Sequence, residues 1–227
     1  MKTGILIFKD VDQLDCTGPF EVLSRVPGMT IDFIGYTKEP IRDMKGLKLE
    51  PSISYLEVNE LDILVIPGGY GQYELMSHEP TIQFLQRIYP NIKFLMTVCT
   101  GTLLAGVAGL LEGYKATTHW TSHHLLHHLG IIPVEERYVV DRNIVSTAGV
   151  TGGIDGALIL ASLISSPEVA QQIQLYMEYD PQPPFNAGYP TKAPKPVLET
   201  VTNNARSITE KREIACKKYA AFRGIPQ

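Results

Sequence analysis

The segment FLMTVCTGT, residues 94–102, decides the fold. Its first part, residues 94–98, is almost continuously apolar, which predicts a strand covered on both faces. Residues 101–111 follow with a helical pattern, so Cys99 occupies a strand-to-helix turn. Such a turn lies at the carboxyl edge of a parallel sheet, where open α/β folds bind ligands, and it often presents a nucleophile.

The rest of the chain repeats this alternation of strand and helix. Strands are predicted at residues 5–8, 31–36, 63–66 and 94–98. Helices are predicted at residues 14–25, 80–88, 101–111, 121–129, 154–164 and 167–177. Two insertions look like hairpins, at 41–55 around Gly46 and at 134–146 with a turn at 141–143. Alternating strands and helices indicate parallel βαβ units, so we predict an α/β sandwich with a mostly parallel sheet.

The tail differs in composition from the rest of the chain. Residues 180–196 hold six of the sixteen prolines, which predicts an extended segment because proline continues neither a helix nor a central strand. Residues 197–222 then have the pattern of a charged amphipathic helix. That helix could dock on the core or wrap around a second subunit. We expect one domain over residues 1–227, with this tail appended.

Composition excludes several classes of protein. The chain has 227 residues, a net charge of −4, 44% hydrophobic residues and 19% charged residues. These values fit a globular protein and argue against a nucleic-acid partner. No apolar run approaches the ~18 residues of a membrane span, and residues 1–10 lack the pattern of a secretory signal. The odd count of three cysteines favours free thiols in a reducing compartment, so we expect a cytoplasmic protein.

Cys99 is the strongest candidate for a reactive side chain. The free N–H groups at the start of the following helix favour negative charge and lower the pKa of a thiol. We therefore expect a thiolate near neutral pH, although a buried structural cysteine would also fit this position. Cys16 and Cys216 lack such a setting and are expected to be inert.

Asp15 is the second candidate, within QLDCTGP at residues 13–19. It could simply stabilise the start of a helix. It could also meet Cys99, because the loops after parallel strands share one edge of the sheet. A carboxyl beside a thiolate tends to keep its proton, since two adjacent anions repel. Asp15 would then be able to donate and accept protons.

Two glycine-rich junctions follow predicted strands, PGGYG at 67–71 and VTGG at 150–153. Their glycines could make turns or let backbone N–H groups approach a substrate. Neither junction has the Lys-Ser/Thr of a phosphate loop or the full dinucleotide-binding spacing, so we expect no phosphate or NAD site.

Five histidines lie close together: His119, His123, His124, His127 and His128. Some are one helical turn apart, as zinc ligands can be. However, the HExxH pattern is absent and no acid lies between Thr117 and Leu129. We therefore expect a mostly solvated helix surface without a metal. His119 differs from the other four histidines in its predicted position, because residues 116–119 are predicted as a strand that ends at the edge of the sheet carrying Cys99. It could assist Cys99 or merely pack beside Trp120.

In their order along the chain, these motifs resemble the ThiJ/PfpI superfamily, and within it the isocyanide (isonitrile) hydratases. The matching motifs are QLD and TGP at 13–19, PGG at 67–69, VCTG at 98–101, TTHW at 117–120, GGID at 152–155, and EY with PPFNAG at 178–188. The resemblance covers nearly the whole chain. It implies a flavodoxin-like three-layer sandwich with helices on both faces and a nucleophile elbow.

The resemblance also implies a function. The chain would be a lyase that hydrates isocyanides to N-substituted formamides through a covalent cysteine thioimidate. Cys99 would be the nucleophile, Asp15 the acid/base group and Thr100 a hydrogen-bonding neighbour. The enzyme would be a homodimer without a metal or an organic cofactor. The residues expected to bind substrate are Gly69, Tyr70, His119, Trp120 and Val150.

Other functions remain open at this point. The chain could be another cysteine-dependent member of the superfamily, of the amidase, glyoxalase or deglycase type. It could also be a non-enzymatic ligand or redox sensor. Related sensor domains of AraC-type regulators are followed by a helix-turn-helix module, and the ~30 residues after the Pro-rich tract are too few for one. The elbow lacks the Cys-His dipeptide of the peptidase-like branch. Cys16 stands where members often carry an aliphatic residue.

Overall fold

The computed structural model describes residues 1–225. The strands are β1 Lys2–Leu6, β2 Thr30–Gly35, β3 Ile41–Arg42, β4 Lys48–Leu49, β5 Ile53–Ser54, β6 Ile63–Ile66, β7 Phe94–Val98, β8 Lys115–Ala116, β9 Ile132–Pro133, β10 Tyr138–Asp141 and β11 Ile144–Thr147. The α-helices are α1 Gln13–Leu23, α2 Gln72–Leu75, α3 Glu79–Ile88, α4 Gly101–Val107, α5 Gly152–Ile164, α6 Pro167–Tyr176 and α7 Lys195–Arg223. Short 3₁₀ helices cover Tyr89–Asn91 and Trp120–Leu129.

A seven-stranded sheet forms the centre of the molecule, in the order β10-β11-β7-β6-β1-β2-β5. Its strands are parallel except for the antiparallel pair β10 and β11. Every residue of β6 is buried, as an apolar strand covered on both faces requires. The predicted α/β fold with a mostly parallel sheet is confirmed.

The helices form two groups. Helix α5 packs against α1 and α6, whereas α7 packs against α2, α4 and the 3₁₀ helix Trp120–Leu129. Helices around a buried sheet give the predicted three-layer arrangement. Among residues 1–225, no helix combines the length and the apolar character that crossing a bilayer requires.

Several predicted elements differ in detail. Residues 116–119 are not a strand of the main sheet: β8 ends at Ala116 and pairs with β9 in a separate sheet. The Thr117 N–H instead donates to Ser146 Oγ, which takes it out of a strand ladder. The helix after Cys99 ends at Val107 rather than at residue 111, because Gly109 turns the chain with a φ of 79°.

The two predicted hairpins are partly confirmed. Strands β3 and β4 form an antiparallel pair around Gly46, but β5 leaves this hairpin and joins β2 in parallel. Strands β10 and β11 pair antiparallel around the predicted turn. The insertion at 134–146 is therefore a hairpin as predicted, whereas only the first part of the insertion at 41–55 is one.

Candidate active site

Cys99 lies in a tight turn between β7 and α4. Its φ is 55°, a left-handed conformation that is uncommon for residues other than glycine and that is often found at functional sites. Its N–H lies 3.2 Å from Thr147 O and 3.1 Å from Ala148 O, and its carbonyl accepts a 2.7 Å bond from Thr118 Oγ1. A Cβ at Gly101 would lie 2.0 Å from Ile66 O. The turn has the geometry of a nucleophile elbow.

The sulfur of Cys99 is under opposing influences. Burial and the neighbouring Asp15 raise the pKa of the thiol well above its ordinary value. Hydrogen bonds from the backbone N–H groups of Thr100 and Val150 lower it, as does the charge of Arg212. The expected lowering of the Cys99 pKa is therefore wrong, because burial and Asp15 outweigh the hydrogen bonds at the helix start and the charge of Arg212.

Val150 reaches the sulfur through a strained backbone. Its φ is 28°, outside the regions that a β-branched residue normally adopts. This conformation accompanies the contact between the Val150 N–H and the thiol. The second glycine-rich junction thus contributes a backbone donor to the same site as Cys99.

Asp15 does not cap its helix. Asp12 is the N-cap residue of α1, and its side chain accepts a 3.3 Å bond from the Leu14 N–H. The Asp15 side chain is fully buried, and its Oδ2 accepts a 2.9 Å bond from the Gly68 N–H. Asp15 is therefore a first-turn residue of α1 and not its N-cap, and the Gly68 N–H holds its carboxyl in place.

The pKa of Asp15 is raised to about 8. Burial is the main cause and the nearby Asp12 adds to it, while the Gly68 N–H and Cys99 act in the opposite direction. The second oxygen, Oδ1, is buried and has no hydrogen-bond partner of ordinary geometry among residues 1–225. Asp15 therefore keeps a proton near neutral pH, chiefly through burial rather than the expected repulsion between two anions. Asp15 and Cys99 titrate as a pair.

Arg212 of α7 reaches the same edge of the sheet. Its Nη2 donates to Gly69 O across 2.7 Å and to Thr100 Oγ1 across 3.4 Å. Its Nε donates to Gln72 Oε1 across 3.1 Å. The sequence pattern did not single out Arg212, because an arginine in a charged helix is usually solvated. A signal was present, since Arg212, Cys216 and Ala220 share one buried helix face.

A cavity of about 900 Å³ reaches Thr118, whose hydroxyl bonds to the Cys99 carbonyl, but Cys99, Asp15 and Thr100 are not among its lining residues. Its lining includes three of the residues expected to bind substrate, His119, Trp120 and Val150. Residues of the Pro-rich segment, among them Phe185 and Tyr189, also line it. The other expected substrate residues are not among the lining: Gly69 is buried and bonded to Arg212, and Tyr70 is 53% exposed.

His119 faces this cavity without bonding to the sulfur. Its Nδ1 lies 2.8 Å from Thr121 Oγ1, and no hydrogen bond joins it to Cys99 in the part of the chain described. Burial, with a smaller effect of Arg212, lowers the pKa of His119 to about 4. The imidazole is therefore neutral at physiological pH.

The other histidines only partly match the expected solvated surface. His124 and His127 are exposed, but His128 is buried because the segment is a 3₁₀ helix that packs against α7. Over residues 1–225, no cluster of three or more His, Cys, Asp or Glu side chains could hold a metal ion.

The remaining cysteines are buried free thiols. Burial raises the pKa of Cys16 well above its ordinary value and that of Cys216 to about 12. The Cys16 thiol points to Leu6 O at 3.7 Å. Both have the apolar setting of unreactive cysteines.

Comparison with known proteins identifies the family of the chain. The model of the DJ-1/PfpI family matches residues 1–162. The chain belongs to the DJ-1/PfpI family. It is 38% identical over 221 residues to isonitrile hydratase of Pseudomonas putida, with 97% of each chain covered. It is 25% identical over 149 residues to the deglycase PfpI of Pyrococcus furiosus, covering 65% of this chain and 89% of the relative.

A solved structure of a ThiJ/PfpI family protein from Pseudomonas syringae is also similar. It superposes with a TM-score of 0.93 at 33% identity and covers 95% of this chain and 90% of that chain. The family model ends before the tail, whereas this structural match extends over nearly the whole chain. The tail is therefore part of the shared architecture.

Proposed function

We propose that this DJ-1/PfpI protein hydrates isocyanides to N-substituted formamides, with Cys99 as nucleophile and Asp15 as acid/base group. The observation that carries the proposal is the placement of a protonated, buried carboxyl beside a cysteine on an elbow. The similarity to an isonitrile hydratase over 97% of the chain supports the substrate class. An isocyanide carbon is electrophilic toward sulfur and must receive a proton, which this pair supplies.

The first step forms a covalent intermediate. The reactive form of the Asp15–Cys99 pair holds one proton, on Asp15, and leaves Cys99 as a thiolate. The thiolate donates an electron pair to the terminal carbon of the isocyanide and forms a C–S bond. The Asp15 carboxyl delivers its proton to that carbon, which leaves a thioimidate and an Asp15 carboxylate. The N–H groups of Thr100 and Val150 stabilise the thiolate before attack.

The second step releases the product. Water adds to the thioimidate carbon, and the Asp15 carboxylate takes one proton from it and passes that proton to the nitrogen, which returns Asp15 to the carboxylate. The resulting carbinol collapses: its hydroxyl loses a proton to Asp15 as the C–S bond breaks. The products are an N-substituted formamide and the thiolate, so one water is consumed and the enzyme returns to its starting state.

The cavity beside the elbow suits the N-substituent of the substrate. Trp120, Phe185 and Tyr189 give it aromatic surface, and Val150 connects it to the sulfur. We propose that His119 acts here as a neutral polar group of the wall. This arrangement favours bulky apolar substituents, such as aryl groups.

A homodimer in the cytoplasm, without a metal or an organic cofactor, completes the proposal. Exposed apolar side chains of α6, Leu175 and Tyr176, are suited to a contact between subunits. The thiol and carboxyl of the site carry every step above.

Turnover of p-nitrophenyl isocyanide tests the proposal, followed by the absorbance of the formamide. We expect turnover by the wild type and none by Cys99→Ala. Asp15→Asn should keep its fold and still lose turnover by at least a hundredfold, the lower range for a general acid/base. Absence of turnover by folded, reduced wild type would overturn the proposed substrate, and near-normal turnover by Asp15→Asn would overturn the role of Asp15.

A further inference from the structure

Arg212 is a buried cation without an acidic partner. Its side chain comes from α7, far along the chain from the elbow, and the residue is only 3% exposed. Among residues 1–225, no carboxylate lies within ion-pair distance of its guanidinium. Its hydrogen bonds go to neutral oxygens of Gly69, Gln72 and Thr100. An arginine remains charged in such surroundings, and a buried charge is costly unless an anion compensates it.

The positions of these acceptors indicate where the compensating anion forms. Gly69 follows Gly68, whose N–H holds Asp15, and Thr100 follows Cys99 directly. The guanidinium therefore joins the two loops on either side of the thiol.

The titratable groups that face Cys99 and Arg212 are Asp15 with Asp12 behind it, His119, Tyr70 and Cys216. Of these, Asp15 is protonated near neutral pH, His119 is neutral, and burial raises the pKa of the Cys216 thiol to about 12.

We propose that Arg212 is a positioning residue for the nucleophile: its buried guanidinium supplies the counter-charge for the Cys99 thiolate and fixes the loops that flank it. The inference rests on the proposed role of Cys99 and extends the site to a helix outside the matched family model. It gives α7 a part in the chemistry that its charged sequence does not suggest.

The pH dependence of thiolate formation tests this proposal. Thiolate ultraviolet absorbance, taken as the difference from Cys99→Ala, gives the midpoint for Cys99. The rate of iodoacetamide labelling of the Cys99 peptide, followed by mass spectrometry, gives it independently. We expect Arg212→Gln to move the midpoint up by at least one pH unit, which lowers labelling at a fixed pH below it about tenfold. Arg212→Lys keeps the positive charge, so its midpoint should lie close to that of the wild type.

Two further variants separate charge from folding. Arg206→Gln removes an exposed arginine of the same helix and should leave the midpoint unchanged. Gln72→Glu neutralises Arg212 in place, because Gln72 Oε1 already accepts its Nε–H and Gln72 Nε2 has no partner among residues 1–225. We expect it to raise the midpoint as Arg212→Gln does.

A wild-type midpoint in folded Arg212→Gln would overturn the proposal. If Arg212→Gln does not fold, Gln72→Glu decides, and a wild-type midpoint there would overturn it equally. The titration needs no isocyanide, so its outcome is independent of turnover. A shifted midpoint in a chain without hydratase activity would contradict the proposed function and leave the role of Arg212 intact.

Discussion

The backbone N–H of Gly68 donates a 2.9 Å hydrogen bond to Asp15 Oδ2 and thereby ties the end of β6 to the first turn of α1 beside Cys99. The bond holds one oxygen of a buried carboxyl and leaves the other without a partner in the described chain. A carboxyl in this position keeps its proton and lies next to the sulfur.

Asp15 should make the stability of the protein depend on pH. Burial raises its pKa to about 8, above the ~3.9 of an exposed aspartate. The native state therefore binds this proton more tightly than the unfolded state. The resulting stabilisation is complete below about pH 4 and is lost as the pH rises to about 8.

Asp15→Asn has no such proton to lose. We expect its free energy of unfolding, relative to the wild type, to rise by a few kcal/mol over that range and to level off above it. Urea denaturation at a series of pH values measures this difference. The exposed Asp180→Asn serves as control, and a difference for Asp15→Asn that does not change with pH would be incompatible with the buried carboxyl.

Gly68→Ala should damage the site directly. The new Cβ would lie 2.6 Å from both Thr100 N and Thr100 Oγ1 and 3.0 Å from Asp15 Oδ2. Since a strand end and an elbow must move to admit it, we expect turnover to fall at least tenfold and thermal stability to decrease by about 1–3 kcal/mol. Gly188→Ala is the control for thermal unfolding, because nothing lies within 4 Å of its Cβ. Wild-type turnover in Gly68→Ala would refute the close approach.

His119 should not act as the base of Cys99. Burial lowers its pKa to about 4, so it is neutral throughout the pH range in which the thiol titrates. We expect His119→Gln to leave the pH profile of Cys99 labelling unchanged and to alter KM for an aryl isocyanide, because His119 lines the cavity. NMR titration of the imidazole checks the pKa. A labelling profile that shifts in His119→Gln would show that the imidazole does act on the thiol.

Phe185 should contribute to substrate binding and not to chemistry. Its side chain is 79% exposed in the chain but lines the cavity beside Val150. We expect Phe185→Ala to raise KM for aryl isocyanides severalfold while the rate of Cys99 labelling stays constant. The similarly exposed Phe222→Ala, on α7, is the matched control. Equal effects of the two variants would argue against the cavity as the substrate site.

The sequence predicted the elements with a strong local signal. β6 and β7 have their predicted bounds, because continuous apolar runs identify strands buried on both faces. The position of Cys99 between strand and helix also followed from local pattern. Asp15 remained ambiguous, because N-cap, first-turn and catalytic aspartates look alike in sequence. The structure shows that Asp12 is the N-cap and that Asp15 lies in the first turn of α1.

Features that depend on long-range packing were beyond the sequence. Arg212 looked like one more charge on a solvated helix, although the fold buries it against Gly69 and Thr100. The raised pKa values of Cys99 and Asp15 arise from burial in the assembled core. The strand predicted at residues 116–119 is absent beyond Ala116, where β8 ends. The polar groups of Thr117 and Thr118 bond to Ser146 and Cys99 instead of to a neighbouring strand.

Trapping the covalent intermediate tests the central claim most directly. Wild-type protein would be mixed with an aryl isocyanide, quenched with acid during the first turnover, and analysed by intact-mass and peptide mass spectrometry. We predict an adduct equal in mass to one isocyanide, located on Cys99 and absent from Cys99→Ala. Formamide production without such an adduct, or an adduct on Cys16 or Cys216 instead, would contradict the account.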